Sequence, residues 1–343
     1  MVNTRNSAPP DSDGVGLLSH LAVFLERYVL PASPSLRLCV GLSGGRDSVA
    51  LLCALHELQA DIDYELSACH VNHGLSPHAD AWQNFCSQLC QRLQIPLTCT
   101  AVVVPRHSPE GLEAAARHCR YEVYSQLAVD YLLLGQHRGD QAETLLFNLL
   151  RGSGVHGARG MPELRWLRPD LAVLRPLLSV PRTEIERYLQ RRGLSWIDDE
   201  SNADERYSRN FLRQRIMPEL RTRFPAAEEK LAAAAGRFVE AAELLDALAV
   251  TDLGDRSASF PVPIDTLAVL TEPRARNLLR YLLTQQGVRI PSEVRFKEAV
   301  RQFLEAAPDR HPGLKLGEWR LFRQRRELKL EKTLGIVSHN EIK

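Results

Sequence analysis

The chain has 343 residues, 44% of them apolar and 25% charged, with a net charge of +1. That length suits about two domains, and the near-neutral charge excludes a global field that draws the chain to nucleic acid, leaving only local surfaces. No apolar run approaches membrane-spanning length, and the seven cysteines, all between Cys39 and Cys119, form an odd set that points to reduced thiols in a cytoplasm.

Residues 1–15 are polar and rich in Pro, Ser and Asp, a loose, disordered tail. Helical periodicity runs from Val15 to Tyr28 and leads into Pro31 and Pro34. The apolar positions Leu36, Leu38 and Val40 make a buried strand ending at Gly41, and Asp47 to Leu58 a helix. The alternation then continues. Strands are expected at Tyr64–Val71, Leu97–Val104, Tyr131–Gly135 and Leu171–Leu174, and helices at Asp80–Leu93, Glu110–Ala128 and Asp140–Leu150. Cys86 and Cys90 share a helix face, a packing pattern and not a redox pair. From Arg182 the pattern is helical, with Thr183–Arg191, Asp204–Leu220 and the alanine-rich Ala226–Leu253. After a break at Gly254–Pro263 come helices Glu272–Gln285 and Glu293–Ala306 and a hairpin over Leu316–Leu330. Strands alternating with such helices predict an α/β fold, a Rossmann-like doubly wound parallel sheet, followed by a helical region and a small α+β C-terminal domain. The boundaries expected are a tail over 1–15, the sheet domain over 16–217, a helical linker over 218–254 and the small C-terminal domain over 255–335.

Between the first strand and its helix stands Ser43-Gly44-Gly45-Arg46-Asp47-Ser48. The two glycines can take positive φ and let backbone N–H groups face a ligand. The helix that follows adds unpaired N–H groups and the positive end of its dipole, so the turn suits a phosphate. No lysine follows the glycines, which excludes a Walker A loop. A ligand-free strand–turn–helix joint is the plain alternative. The hexapeptide resembles the PP-loop of the ATP pyrophosphatases, a likeness that implies cleavage of ATP between its α and β phosphates.

Further stretches narrow this resemblance. His70-Val71-Asn72-His73-Gly74-Leu75 follows the second strand. Glu113-Ala114-Ala115-Ala116-Arg117 and Arg120-Tyr121 lie on the long helix, and Gln136-His137-Arg138-Gly139-Asp140-Gln141-Ala142-Glu143 opens the next. Arg151-Gly152-Ser153-Gly154-Val155-His156-Gly157, Asp198-Asp199-Glu200-Ser201-Asn202 and Arg209-Asn210-Phe211-Leu212-Arg213 complete the set. In this order they closely resemble the tRNA(Ile)-lysidine synthetase family, over about Leu36 to Pro218 and more faintly over Ile264 to Ala307.

The resemblance implies ATP-dependent ligation of free L-lysine to C2 of the wobble cytidine of tRNA(Ile) with a CAU anticodon. An adenylated cytidine is the intermediate, with AMP and pyrophosphate released. ATP and Mg²⁺ are then required, no membrane is involved, and a homodimer is left open. Two departures stand out. Many members read His-His-x-Asp-Asp-Gln where this chain has Gln136 and Gly139 in place of the first histidine and first aspartate. Some also carry a further C-terminal domain, for which this chain has little room after Leu330.

Residue by residue, Ser43, Gly44, Gly45, Arg46, Asp47, Ser48 and His70 are the expected ATP contacts, and Asp47 is the carboxylate for Mg²⁺. Asp47, Arg117, Asp140 and Glu143 are the catalytic candidates. Asp140 and Glu143, three apart at a helix start, share a face where the resemblance places the ammonium groups of lysine. Solvated helix-start acids are their bland alternative. Arg117 offers a planar fork to the phosphates or the adenylated base, or a salt bridge to Glu113. His70, His73 and His78 lack the acidic or thiolate partners of a zinc site. His137 suits proton transfer or a structural place equally. Arg206, Arg209, Arg213 and Arg215 form an expected tRNA-backbone contact, and Arg320, Arg323, Arg325, Arg326 and Lys329 a second basic surface. Two other readings are a tRNA-thiolating PP-loop enzyme, which ordinarily carries paired cysteines absent here, and a nucleotide-dependent tRNA-binding module without catalysis.

Overall fold

In the computed structural model, residues 16–29, 36–108, 111–198, 208–307 and 309–333 are described. The tail over 1–15, Asp199 to Asn202 of the acidic motif, and Arg206 lie outside them. The chain divides at Arg237–Phe238 into two compact units.

The first unit is a sheet with helices on both faces. Its elements are α1 Leu17–Tyr28, β1 Arg37–Gly41, α2 Arg46–Leu58, β2 Glu65–Asn72, α3 Ala79–Leu93, β3 Leu97–Ala101, α4 Leu112–Tyr124, β4 Tyr131–Leu133 and α5 Arg138–Leu150. The short α6 Val155–Ala158, β5 Leu164–Arg168, β6 Leu171–Leu174 and α7 Arg182–Arg191 follow. Strand order is β3-β2-β1-β4-β6-β5. β1 sits centrally, with Val40 opposite Ala68 of β2 and Leu133 of β4, all parallel. Strands covered on both faces need apolar residues at every position, and alternate β1 side chains supply two cores. Leu38 and Val40 join the core with α1, α2 and α7. Cys39 joins Leu132, Val173 and Tyr124 on the other face.

The doubly wound α/β fold expected from the sequence is present, with one unforeseen strand. β5 runs antiparallel to β6 at the sheet edge, with an irregular register between Trp166 and Arg168. Arg165 and Trp166 are exposed there, so the apolar signal that marks the inner strands is missing. The helix expected over Asp204–Leu220 is divided in its described part. It comprises α8 Ser208–Phe211, a π turn Leu212–Ile216 and α9 Met217–Arg223. A π turn inserts one residue per turn and re-aims the side chains it carries. The long α10 follows at Ala227–Leu253.

The second unit has β7 Val262–Pro263, α11 Ile264–Ala268, α12 Glu272–Gln285, α13 Glu293–Glu305, β8 Gly313–Leu316, β9 Trp319–Gln324 and β10 Glu327–Lys332. The predicted hairpin is an antiparallel sheet of order β7-β10-β9-β8. Phe296, Phe303, Leu279 and Leu321 meet in its own core. Arg323 is not on the basic surface expected of it. It is 7% exposed and donates to the Phe303 and Ala306 carbonyls at the end of α13, 2.7 and 2.8 Å away.

All seven cysteines are free thiols. Cys86 and Cys90 pack in the main core, and burial pushes both thiols up to about 12. No described helix is long and apolar enough to cross a membrane.

Candidate active site

The loop after β1 is held by its own side chains. Ser48, buried in the first turn of α2, accepts from the Ser43 N–H at 3.2 Å and donates to the Gly45 carbonyl at 2.9 Å. Its Oγ lies 3.1 Å from that of Ser43. Of the two glycines only Gly44 uses the left-handed region, at φ +85°. A Cβ there would stand 2.8 Å from Ile197 Cδ1, because the Ile197 N–H donates to the Gly44 carbonyl at 2.9 Å. Gly45 is extended (φ −72°) and caps α2 without a side-chain hydrogen bond. The first N–H groups of α2 therefore receive no side-chain cap from Gly45, and with the helix dipole behind them they suit an anion. Gly135, just past β4, lets that strand end close on the loop: a Cβ on it would lie 3.0 Å from the Asp47 carbonyl.

The start of α5 faces the same place. His137 is the N-cap: its Nδ1 accepts from the Gly139 N–H at 2.9 Å, while Asp140 Oδ2 accepts from the His137 N–H at 3.0 Å. With Nδ1 an acceptor, the neutral ring carries its proton on Nε2. That nitrogen lies 3.9 Å from Asp47 Oδ2 and 3.8 Å from Asp140 Oδ2, so one imidazole stands between the glycine loop and the acids of α5. Gly139 has a reason: a Cβ at that position would lie 2.6 Å from His137 Cε1.

One turn on, Glu143 is 5% exposed. Burial raises its carboxyl above the ordinary value, and Asp140 adds to the rise against the opposing pull of Arg213. Arg213, carried on the π turn, forks onto both acids. Its Nε donates to Glu143 Oε1 at 2.9 Å, and its Nη2 to Asp140 Oδ1 at 2.7 Å and Glu143 Oε2 at 2.8 Å. Burial works against the Arg213 charge, but Glu143 and then Asp140 hold its pKa above the ordinary arginine value. The acids expected to hold a cationic substrate thus hold a cationic side chain.

The glycine loop and the acid pair thus stand on either side of one imidazole in the first unit. Residues 18–220 match the family model described as the PP-loop domain, and residues 263–328 that of the TilS substrate binding domain. The tRNA(Ile)-lysidine synthase of Nitrosomonas europaea is 44% identical over 303 residues, 88% of this chain and 66% of that protein. That of Aromatoleum aromaticum is 46% identical over 79% of this chain and 63% of its own length. That of Alkalilimnicola ehrlichii is 39% identical over 88% of this chain and 68% of its own. The chain belongs to the tRNA(Ile)-lysidine synthase family. It spans about two thirds of the length of these relatives. Among solved structures, the U34-tRNA thiolase NcsA from Methanococcus maripaludis superposes with a TM-score of 0.54 at 18% identity, covering 65% of this chain and 78% of that one, a likeness of fold alone.

Within this lysidine synthase fold the remaining candidate residues fall into three groups. Beside the loop, Arg46 donates to Asp47 at 2.9 Å and to Glu186 at 3.2 Å, the latter a long-range partner that no motif marked. Magnesium commonly uses one or two carboxylates together with substrate phosphates. Asp47, part-exposed beside the loop, fits that habit, and no group of three potential metal ligands occurs among the described residues. His70 is buried, 2.9 Å from the Leu42 carbonyl and 3.5 Å from Cys86 Sγ, and burial lowers its pKa. It braces the residue before the loop. His73 Nε2 accepts from Arg120 Nε at 3.3 Å, and burial followed by the Arg120 charge lowers its pKa to about 4.

The arginines disperse. Arg209 lies 3.7 Å from Glu113, the alternative partner that the sequence offers for Arg117. Arg117 instead stands over the Tyr121 ring, 4.8 Å from its centroid, and donates to its hydroxyl at 3.2 Å. Arg213 is on the acid pair, whereas Arg215 is exposed. Sequence reasoning missed Arg175, which is 2% exposed just beyond β6. Its only signal was an arginine directly after an all-apolar strand.

Proposed function

We propose that this chain catalyses ATP-dependent ligation of free L-lysine to C2 of the wobble cytidine of tRNA(Ile) with a CAU anticodon. The observation that carries the reading is the Asp140–Glu143 pair. It lies one imidazole away from the PP-loop and is already shaped round a cation. The family supports the same substrates.

In the first step the cytosine C2 oxygen attacks the α-phosphate and pyrophosphate leaves. The uncapped N–H groups of α2 and the Ser43–Gly45 turn hold the departing phosphates. Mg²⁺ held at Asp47 would supply charge neutralisation for those phosphates. In the second step the ε-amine of lysine attacks C2 and AMP leaves. The ammonium must first lose a proton, and we assign that proton to Glu143, whose burial raises its proton affinity. Asp140 and His137 orient the pair, and Arg213 must withdraw for the amine to enter.

The test is transfer of labelled lysine to an unmodified tRNA(Ile) transcript, with a transcript bearing wobble uridine as control. Label on the first RNA alone, with AMP and pyrophosphate formed, is expected. Tight RNA binding with ATP intact and no label would favour the binding module, and ATP consumption without label a different nucleophile. Asp140→Asn and Glu143→Gln are each expected to lower transfer by about a hundredfold or more while leaving ATP binding in place.

A further inference from the structure

Beyond the loop and the acid pair, three arginines gather round one phenol ring. Arg117 Cζ stands 4.8 Å and Arg165 Cζ 5.4 Å from the centroid of Tyr121. The Tyr121 hydroxyl meets Arg117 Nη2 and Arg175 Nη2, each at 3.2 Å. Among the described residues no carboxylate pairs with any of the three. Their contacts are the Tyr121 ring and hydroxyl and the Pro162 carbonyl, which Arg175 Nη1 reaches at 2.8 Å. Arg37, Arg46, Arg192 and Arg213, by contrast, each meet a carboxylate. Three unneutralised guanidinium groups repel one another, and burying one is costly unless an anion arrives.

Arg175 carries the second observation. It is 2% exposed, and its Nε is a buried donor without a hydrogen-bond partner. Burial lowers its pKa, and the charges of Arg117 and Arg165 act in the same direction. The mouth of the cluster is open, since Arg165 lies exposed on the edge strand β5 and Arg117 is half-buried.

From these contacts we infer that Arg117, Arg165 and Arg175 form a phosphate cradle for the backbone of the substrate RNA. The inference rests on the RNA substrate proposed above. Within the cluster Arg165 is the member anchored away from the PP-loop, on β5, three strands from β1, about 14 Å at ordinary strand spacing. Arginine suits the task because its fork meets two phosphate oxygens at once. Tyr121 keeps the forks apart and gives them a shared hydroxyl to rest on. Arg175 adds charge from the floor.

Binding of an anticodon stem-loop RNA with a CAU loop, between 50 and 200 mM KCl, provides the test, in the full chain and its Arg165→Ala, Arg165→Glu and Arg165→Lys variants. Arg165 is exposed, so these variants keep the fold. Arg165→Ala is expected to weaken RNA binding about fivefold or more and to lower the slope of log K against log salt by about 0.7, as expected for one lost phosphate contact on a single strand. Arg165→Glu should weaken it further, Arg165→Lys should retain most of it, and ATP affinity should stay unchanged in all three. RNA affinity and salt slope unchanged in Arg165→Ala would overturn the cradle while leaving the RNA substrate standing. A parallel loss of ATP affinity would overturn it in favour of a nucleotide-phosphate site. No RNA binding by the unaltered chain would remove the substrate reading and the cradle together.

Discussion

Gly139 makes room for a neighbour. The capping rotamer of His137 fills the space that a side chain at 139 would need. The imidazole of His137 caps α5. Gly139→Ala is accordingly expected to expel His137 from its cap and cost about 1 kcal/mol, read from urea midpoints, with a larger loss of lysine transfer. A second imidazole, that of His73, reports on acid. His73 is neutral in the fold, with a pKa lowered from 6.5 to about 4. Below 6.5 the unfolded chain takes up a proton that the folded one refuses. The stability His73 contributes is thus complete above 6.5 and is lost as the pH falls toward 4. His73→Gln should flatten the stability profile over that window, followed by urea denaturation at each pH. The Asp47, Asp140 and Glu143 positions were legible because short motifs carry them. Partners such as Glu186 for Arg46, or Arg213 for the acid pair, are separated by 140 and 70 residues and leave no local trace.

Among elements, the loop between β1 and α2 depends on a distant one. The segment after α7 donates its Ile197 N–H to the Gly44 carbonyl and lays the isoleucine against it. Gly44→Ala would place a side chain in the left-handed region and against Ile197. A destabilisation of roughly 1–2 kcal/mol and a marked loss of ATP affinity are expected, measured by nucleotide titration. The inner strands were readable because a parallel sheet covered on both faces demands apolar residues throughout. The edge strand β5 was not, since Leu164-Arg165-Trp166-Leu167-Arg168 mixes exposed and packed positions with no clean alternation. The π turn was equally hidden. Helical periodicity predicts Arg209 and Arg213 on one face, whereas Arg213 reaches Glu143 and Arg209 lies beside Glu113.

At the scale of the molecule, the two units each carry a core, and the second is built round Phe296 and Phe303. Phe296→Ala is expected to cost the second unit about 3–5 kcal/mol, visible in thermal unfolding, while ATP binding by the first unit is retained. The alternation of strands and helices made the first unit's class legible from sequence. The second unit's four-stranded sheet was reduced to a hairpin, because Val262–Pro263 is too short a strand to leave a periodic signal.

Arg213 gives the acid pair a tethered competitor. An amine that enters the pair, as proposed above, would have to displace a guanidinium held on the same chain, whose effective concentration is on the order of millimolar or above. Uptake of the amine would therefore be an exchange, and its apparent affinity a difference between two cations. Any polyanion that draws Arg213 outward tightens amine uptake, and by reciprocity the amine tightens the polyanion. In the proposed reaction each of the two substrates would then raise the equilibrium affinity for the other.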